Sequence, residues 1–348
     1  MLEGKTIGNL VVGTKIGQGS FGEIYVARDS TDNKMCALKV EPKTSQRKIL
    51  DFEISIFKLI SPNLYFPLYY SSGKTDDSTW LAMELLGPSL SSVVKRIESH
   101  HLSFSTGIRV VTFIFEAIQK IHEFGIIHRD IKPSNVLLRR SNEMPIALID
   151  FGLSRFYIDK NKKHLPPREH PGFRGTAIYA SPNAHIHQEL SRRDDLISWY
   201  YLTIDLMIGL PWKRAESRAE ILHMKRRLQV GEIGSQIAPQ FSTIWSMISI
   251  LNYEDCPDYD KIKELLREAK EEHGVKDTDK WDWHPQILFM GNCEDDTKQI
   301  EDLKKNWSSF TSDTTIPDEI EAPKRYKYDD PLINKSSQNT PNCCCVLC

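Results

Sequence analysis

Two short segments constrain this chain more than any other feature: His128-Arg129-Asp130-Ile131-Lys132-Pro133-Ser134-Asn135 and Leu148-Ile149-Asp150-Phe151-Gly152. Together they offer one carboxylate able to take a proton, a lysine suited to a phosphate, and two oxygen ligands suited to a metal. An apolar run, Val136-Leu137-Leu138, leaves the first segment, and another, from Ile146 to Ile149, enters the second. Each set of polar groups therefore sits at a strand end. In-line phosphoryl transfer asks little covalent help of a protein. It needs Mg²⁺ held by hard oxygens and an attacking hydroxyl aimed at the phosphorus. Asp150 and Asn135 suit the metal, Asp130 the hydroxyl, and Lys132 the phosphoryl oxygens. The bland alternative is a polar turn between buried strands, but so many specified positions rarely coincide by accident.

The chain has 348 residues, room for one large or two modest domains. Its 40% apolar and 26% charged content is that of an ordinary soluble globular protein, and a net charge of −2 argues against a general nucleic-acid binder. No apolar run approaches the ~20 residues of a membrane-spanning helix. The start, Met1-Leu2-Glu3-Gly4-Lys5, lacks an apolar signal core, and Leu2 stands where myristoylation needs glycine. The expectation is a cytoplasmic chain. Cys36, Cys256 and Cys293 are scattered, which suits reduced thiols better than a disulfide framework.

From Leu10 to Val26 the pattern is strand, glycine loop, strand. Ile16-Gly17-Gln18-Gly19-Ser20-Phe21-Gly22-Glu23-Ile24 carries the G-x-G-x-x-G spacing that lets backbone N–H groups approach phosphate oxygens. That spacing also opens dinucleotide sites, but there a helix follows the glycines. Here Ile24-Tyr25-Val26-Ala27 is strand-like, so a hairpin lid over a nucleotide fits better. The next strand, Met35 to Val40, places Lys39 among apolar residues, where an unpaired cation is costly. Glu53 lies on a helical pattern marked by Ile49, Phe52, Ile56, Phe57 and Ile60, and a Lys39–Glu53 pair would hold the lysine against phosphates. Trp80 to Gly87 reads as a buried strand ending at glycine. It would set Met83 behind a purine ring and the backbone of Glu84 and Leu86 at its edge. Ile16, Ile24, Ala37, Leu86, Leu137 and Ile149 would wall the ring; each alone is ordinary core, and only the set supports a slot.

Between Gly107 and Phe124 the apolar spacing is that of a helix, stopped by Gly125. Residues 154–175 hold six basic residues (Arg155, Lys160, Lys162, Lys163, Arg168, Arg174) and two acidic ones (Asp159, Glu169). Such a run is usually a solvated loop; in a chain of net charge −2 it also suits acidic or phosphorylated substrates. Ser191-Arg192-Arg193-Asp194-Asp195 precedes an apolar helix expected from Leu196 to Ile208. Further helices are expected over 218–228, 237–251 and 260–273. Beyond about Ser308 the chain is polar and proline-bearing and reads as disordered.

With these residues in hand, the chain resembles a eukaryotic protein kinase, and within that group the casein kinase I superfamily. Gly17, Gly19, Gly22, Lys39, Glu53, Asp130, Lys132, Asn135 and Asp150 match the general kinase set. Met83 to Leu90, Ser181-Pro182-Asn183 and Ser191 to Leu196 are the narrower marks. Phe173-Arg174-Gly175-Thr176 and the Gly274-Val275…Asp282-Trp283 ending are similar to the tau-tubulin kinase branch. The resemblance implies an α+β, bilobal fold over residues 10–285, with a small β-rich lobe (about 10–86) and a larger helical lobe (about 87–285). An extension at 1–9, a helical extension at 286–307 and a disordered tail at 308–348 would flank it. It implies ATP and Mg²⁺, serine or threonine hydroxyls as acceptors, and Asp195 as the anchor of the catalytic loop. It also implies activity without activation-loop phosphorylation, and acidic or phosphate-primed sites. One departure stands out: relatives commonly place arginine two residues after Gly-Thr, where this chain has Ile178. Arg174, Lys213, Arg214 and Lys225 are the candidate substitutes for binding a priming phosphate. A scaffold without catalysis would have lost Lys39, Asp130 or Asp150; all three are present.

The last residues, Cys343-Cys344-Cys345-Val346-Leu347-Cys348, match C-a-a-X with Cys345 as acceptor, apart from an unusual final residue, Cys348. Cys343 and Cys344 would be palmitoylated, since two lipids anchor stably where one does not. That reading places the protein at the cytosolic face of a membrane. Metal binding by the thiols, or no specific role, are the alternatives.

Overall fold

The computed structural model describes residues 2–19, 22–45, 48–139 and 145–283. Ser20 and Phe21 of the glycine loop, the expected 286–307 extension, the tail and its cysteines lie outside the described residues.

The first lobe is a six-stranded antiparallel sheet of β1 (Thr6–Ile7), β2 (Leu10–Gly19), β3 (Gly22–Asp29), β4 (Met35–Pro42), β5 (Tyr69–Lys74) and β6 (Ser78–Glu84). The strand order is β1-β2-β3-β4-β6-β5. Residues 6–7, expected in an extension, therefore belong to the sheet edge, and Ile7 joins its core. The side-chain alternation of β4 sorts the lobe into two faces. Cys36, Leu38 and Val40 pack with Leu10, Val12, Tyr25 and Ala82, while Ala37, Lys39 and Glu41 turn the other way. Against that second face lies α1 (Leu50–Ile60), which buries Phe52, Glu53, Ile56 and Phe57. Ile49 cannot cap this helix with its own side chain. Glu41 does so from β4, its carboxylate accepting the N–H groups of Ile49 at 3.0 Å and Leu50 at 3.3 Å.

The second lobe begins with α2 (Leu90–Val94) and α3 (Phe104–Glu123). Ser103 caps α3, accepting the N–H of Thr106 at 3.2 Å, and Gly125 stops it at φ +76°. Short paired strands follow: β7 (Ile126–Ile127) with β10 (Arg155–Phe156), and β8 (Val136–Leu138) with β9 (Ile146–Leu148). Then come α4 (Pro182–His185), α5 (Arg192–Met207), α6 (Arg218–Arg227), α7 (Val230–Ser235), α8 (Pro239–Ser249) and α9 (Tyr259–Glu272). Every residue of α5 from Asp194 onward is buried, which marks it as the central helix of the lobe. It starts at Arg192, four residues before the expected Leu196, so Asp194 and Asp195 lie inside its first turn. The helix expected at 237–251 starts instead at Pro239, a residue suited to the first helical position, and α7 precedes it as a separate piece.

One apolar cluster runs through both lobes, from Leu50 and Phe57 of α1, through Phe66 and Phe151, to Trp199 and Phe241. Phe151 receives the edge-to-face rings of Phe57 at 5.3 Å and Phe66 at 5.5 Å. The segment after β9 is thereby packed against α1. Among the described residues no helix is long and apolar enough to cross a membrane.

Candidate active site

The catalytic loop and the Asp150 segment leave β7 and β9 into one cleft beneath β4. Each depends on a backbone that ordinary residues seldom adopt: Arg129 has φ +68° and Asp150 φ +69°. Such conformations cost about 1–3 kcal/mol each and persist only where surrounding contacts impose them. Asp195 imposes the first. Its carboxylate accepts the N–H of His128 at 2.6 Å and of Arg129 at 2.7 Å, and meets His122 Nε2 at 3.0 Å. Burial would raise its pKa, but His122 and these N–H groups outweigh it and hold the carboxyl below the usual range. Asp195 thus holds the backbone of the loop at His128 and Arg129. His122, with Nδ1 at 2.7 Å from the Tyr259 hydroxyl, was not anticipated.

On the sheet side, Lys39 and Glu53 meet at 2.5 Å, both at most 5% exposed. Lys39 also lies 3.6 Å from Asp150. Burial opposes the charge on Lys39, yet Glu53 and Asp150 raise its pKa overall. Burial likewise opposes ionised Asp150, and the Lys39 charge prevails, leaving its pKa lowered. Lys39 is thereby kept charged between the two carboxylates.

At the loop itself, Lys132 Nζ donates to Asp130 Oδ2 at 2.6 Å and to Thr176 Oγ1 at 3.0 Å. Thr176 donates in turn to Asp130 Oδ1 at 2.8 Å. Asn135 Nδ2 donates to the Asp130 carbonyl at 2.9 Å, so the oxygen of its amide is the atom left for a cation. Asp150 Oδ1 is buried and has no hydrogen-bond partner. A carboxylate oxygen met only by Lys39 at 3.6 Å, and the amide oxygen of Asn135, whose backbone carbonyl accepts the Ile149 N–H next to Asp150, are hard donors of the kind Mg²⁺ takes. The residues fit the ion. Thr176 is the participant that sequence reasoning missed, although Gly175-Thr176 stands out in the sequence.

The nucleotide-slot residues are placed unevenly. Gly17 and Gly19 face Ile24 and Gly22 across the β2–β3 hairpin, and Gln18 faces Glu23. Gly22 has no room for a side chain: a Cβ there would lie 2.4 Å from the Val40 carbonyl oxygen. Ile16 is exposed and Ile24 half-buried at the hairpin, while Ala37 and Met83 are cross-strand partners in β4 and β6. Leu86, Leu137 and Ile149 are half-buried, and Ile149 N–H donates to the Asn135 carbonyl at 2.9 Å. Two side chains turn elsewhere. Glu23 pairs with Lys15 and accepts from Tyr25 at 2.6 Å, and Glu84 is bound to Arg139. Both carboxylates are engaged by groups of the protein itself.

The segment from Ser154 to Ala180 closes the cleft. Gly175 has φ +92° and presses on the Arg129 carbonyl oxygen, which a Cβ would approach to 2.6 Å. Glu189 at 4% exposure clasps Arg168 with both oxygens and lies 4.0 Å from Arg155. Burial raises the pKa of Glu189, and the pairing with Arg168 outweighs it, leaving it lowered. Of the candidate phosphate-binding cations, Lys225 is buried, its amine donating to the carbonyls of Ala177 at 2.8 Å and Ala180 at 2.7 Å. Lys213 is paired with Asp205 at 2.7 Å.

Comparison with known proteins agrees with this geometry. The family model described as the protein kinase domain matches residues 10–270. A probable serine/threonine-protein kinase of Dictyostelium discoideum is 34% identical over 282 residues, covering 80% of this chain and 57% of that protein. The casein kinase I homolog RAG8 of Kluyveromyces lactis is 32% identical over 283 residues, covering 78% and 53% respectively. Casein kinase I homolog 2 of Schizosaccharomyces pombe is 32% identical over 283 residues, covering 78% and 65%. The chain therefore spans between about half and two thirds of the length of these curated relatives.

Proposed function

Because the chain belongs to the protein kinase domain family, we propose that it transfers the γ-phosphate of ATP to serine and threonine hydroxyls of proteins. The observation that carries this reading is the convergence of Lys39, Asp130, Lys132, Asn135 and Asp150 on one cleft, each with a partner suited to its role. Asp130 orients the acceptor hydroxyl and takes its proton. Lys132 lies against the transferred phosphoryl group, and Lys39, held by Glu53, lies against the remaining phosphates. Asp150 and Asn135 would hold Mg²⁺, which neutralises phosphate charge when bound. Thr176 fixes the Asp130 carboxylate from the closing segment.

Two finer parts of the reading have their own support. The Glu189 clasp supplies the closing segment with a built-in negative partner, which supports activity without prior phosphorylation of that segment. Lys160, Lys162 and Lys163 stay exposed on it, which supports acidic substrates. Ile178 and the engagement of Lys213 and Lys225 favour acidic sites over phosphate-primed ones.

The test is direct. Purified chain with Mg²⁺-ATP is expected to phosphorylate casein on serine or threonine, before and after phosphatase treatment. Asp130→Asn lowers kcat by about a thousandfold with an unchanged melting temperature. Equal activity in that variant removes the mechanism.

A further inference from the structure

Arg139, the residue after β8, is 2% exposed and takes no part in the phosphate chemistry. Four of its five N–H groups donate to the carbonyls and carboxylate named next. Nε and Nη2 clasp the two oxygens of Glu84 at 2.7 and 2.8 Å. Nη1 donates to the carbonyl of Leu64, and Nη2 also donates to that of Phe66 at 2.8 Å. Glu84, 3% exposed, accepts the Leu68 N–H as well, at 3.1 Å.

These contacts join three parts of the chain. Glu84 ends β6, where the sheet hands over to the connection between lobes. That connection is tied to β8 twice more, by Gly87 N–H to the Leu138 carbonyl at 2.8 Å and by Leu138 N–H to the Pro88 carbonyl at 3.0 Å. Leu64 and Phe66 lie in the loop by which the chain leaves α1, the helix that carries Glu53. One planar fork therefore grips both the purine end of the cleft and the exit of the helix that serves its phosphate end.

A buried pair of this kind adds little net stability, because desolvation offsets the attraction. It fixes geometry instead. With its side chain drawn onto Arg139, Glu84 keeps its carboxylate out of the slot, while Gly87 and Pro88 hold the connection that follows it against β8. We propose that Arg139 is a positioning residue for ATP, setting the main-chain edge at 84–86 on which the purine docks. The proposal rests on the reading of the cleft as an ATP site.

The test uses the full chain, with Mg²⁺-ATP binding by calorimetry and initial rates on casein. Arg139→Met leaves Glu84 buried and unpaired, so stability and ATP affinity both fall. The double variant Arg139→Met with Glu84→Met removes both charges. It regains thermal stability, yet binds ATP about tenfold more weakly than wild type, while KM for casein moves less than about twofold. Arg139→Lys keeps the charge but not the fork and gives an intermediate Kd. Wild-type ATP affinity in the double variant shows that Arg139 is only structural and overturns the proposal. Should the double variant not fold, an unchanged Kd in Arg139→Lys overturns it and a weakened one upholds it. Wild-type protein that binds ATP but transfers nothing removes the activity reading and leaves the Kd comparison to judge Arg139. Wild-type protein that binds no ATP removes both.

Discussion

Lys39 and Glu53 form a 2.5 Å ion pair that crosses from β4 to α1 with almost no access to solvent. Either side chain alone would be a buried, uncompensated charge. Lys39→Met is therefore expected to abolish phosphate transfer and to cost about 3–5 kcal/mol of stability, through the stranded Glu53. Lys39→Arg keeps the charge but cannot reproduce the geometry, and it should lose activity with a smaller fall in melting temperature. Thermal unfolding and casein phosphorylation of both variants check this. A fully active Lys39→Met protein contradicts the role given to the pair.

Asp195→Asn exchanges one acceptor oxygen for a donor where two N–H groups already point inward. The catalytic loop should relax at Arg129, the residue with φ +68°. The expected result is a kcat lower by about a hundredfold with a much smaller change in KM for ATP, since Lys39 is untouched. Steady-state kinetics separates the two parameters.

Thr176 both accepts from Lys132 and donates to Asp130. Thr176→Val keeps the volume and removes both bonds, so kcat/KM for casein should fall about tenfold or more. Thr176→Ser retains the hydroxyl and should remain close to wild type. Equal kinetics in the Val and Ser variants would show that the hydroxyl plays no part.

Lys225 carries a pH signature. Burial pulls its pKa from 10.5 down to about 6. Between those values the unfolded chain holds a proton that the folded chain lacks, so this group makes stability rise with pH from about 6 toward 10.5. Below about 6 both states are protonated and its contribution no longer changes. Lys225→Met should flatten that part of the stability–pH curve, as chemical denaturation at several pH values would reveal. Loss of the support to Ala177 and Ala180 should also raise KM for casein. An unaltered slope would mean that Lys225 stays protonated when folded.

What the sequence made legible was chemistry at fixed spacing. His128 to Asn135 and Leu148 to Gly152 could be read because local strand patterns dictate where those side chains emerge. Lys39 could be paired with Glu53 because a cation in an apolar strand demands a partner and one helix offered it. The Glu84–Arg139 clasp was hidden, since its members are 55 positions apart and neither breaks a local pattern. The bonds of Thr176 to Asp130, of His122 to Asp195 and of Lys225 to Ala177 were hidden for the same reason, their members lying 46, 73 and 48 positions apart. The start of α5 was misjudged because buried aspartates look like solvent-facing caps until their partners are known. The Glu23 carboxylate, expected near ATP, is held by Lys15 and Tyr25 on its own hairpin.

Arg109 stacks on Trp281 at 3.8 Å and donates to the carbonyls of Asp277, Asp279 and Lys280, while Asp282 binds Ser103 at the head of α3. The other end of this 20-residue helix leads directly into the catalytic loop. Asp282 is thus held at the head of α3, about 30 Å along the helix axis from its far end at Glu123. The clamp therefore fastens residues 277–282 to the end of α3 opposite the one that leads toward the catalytic loop.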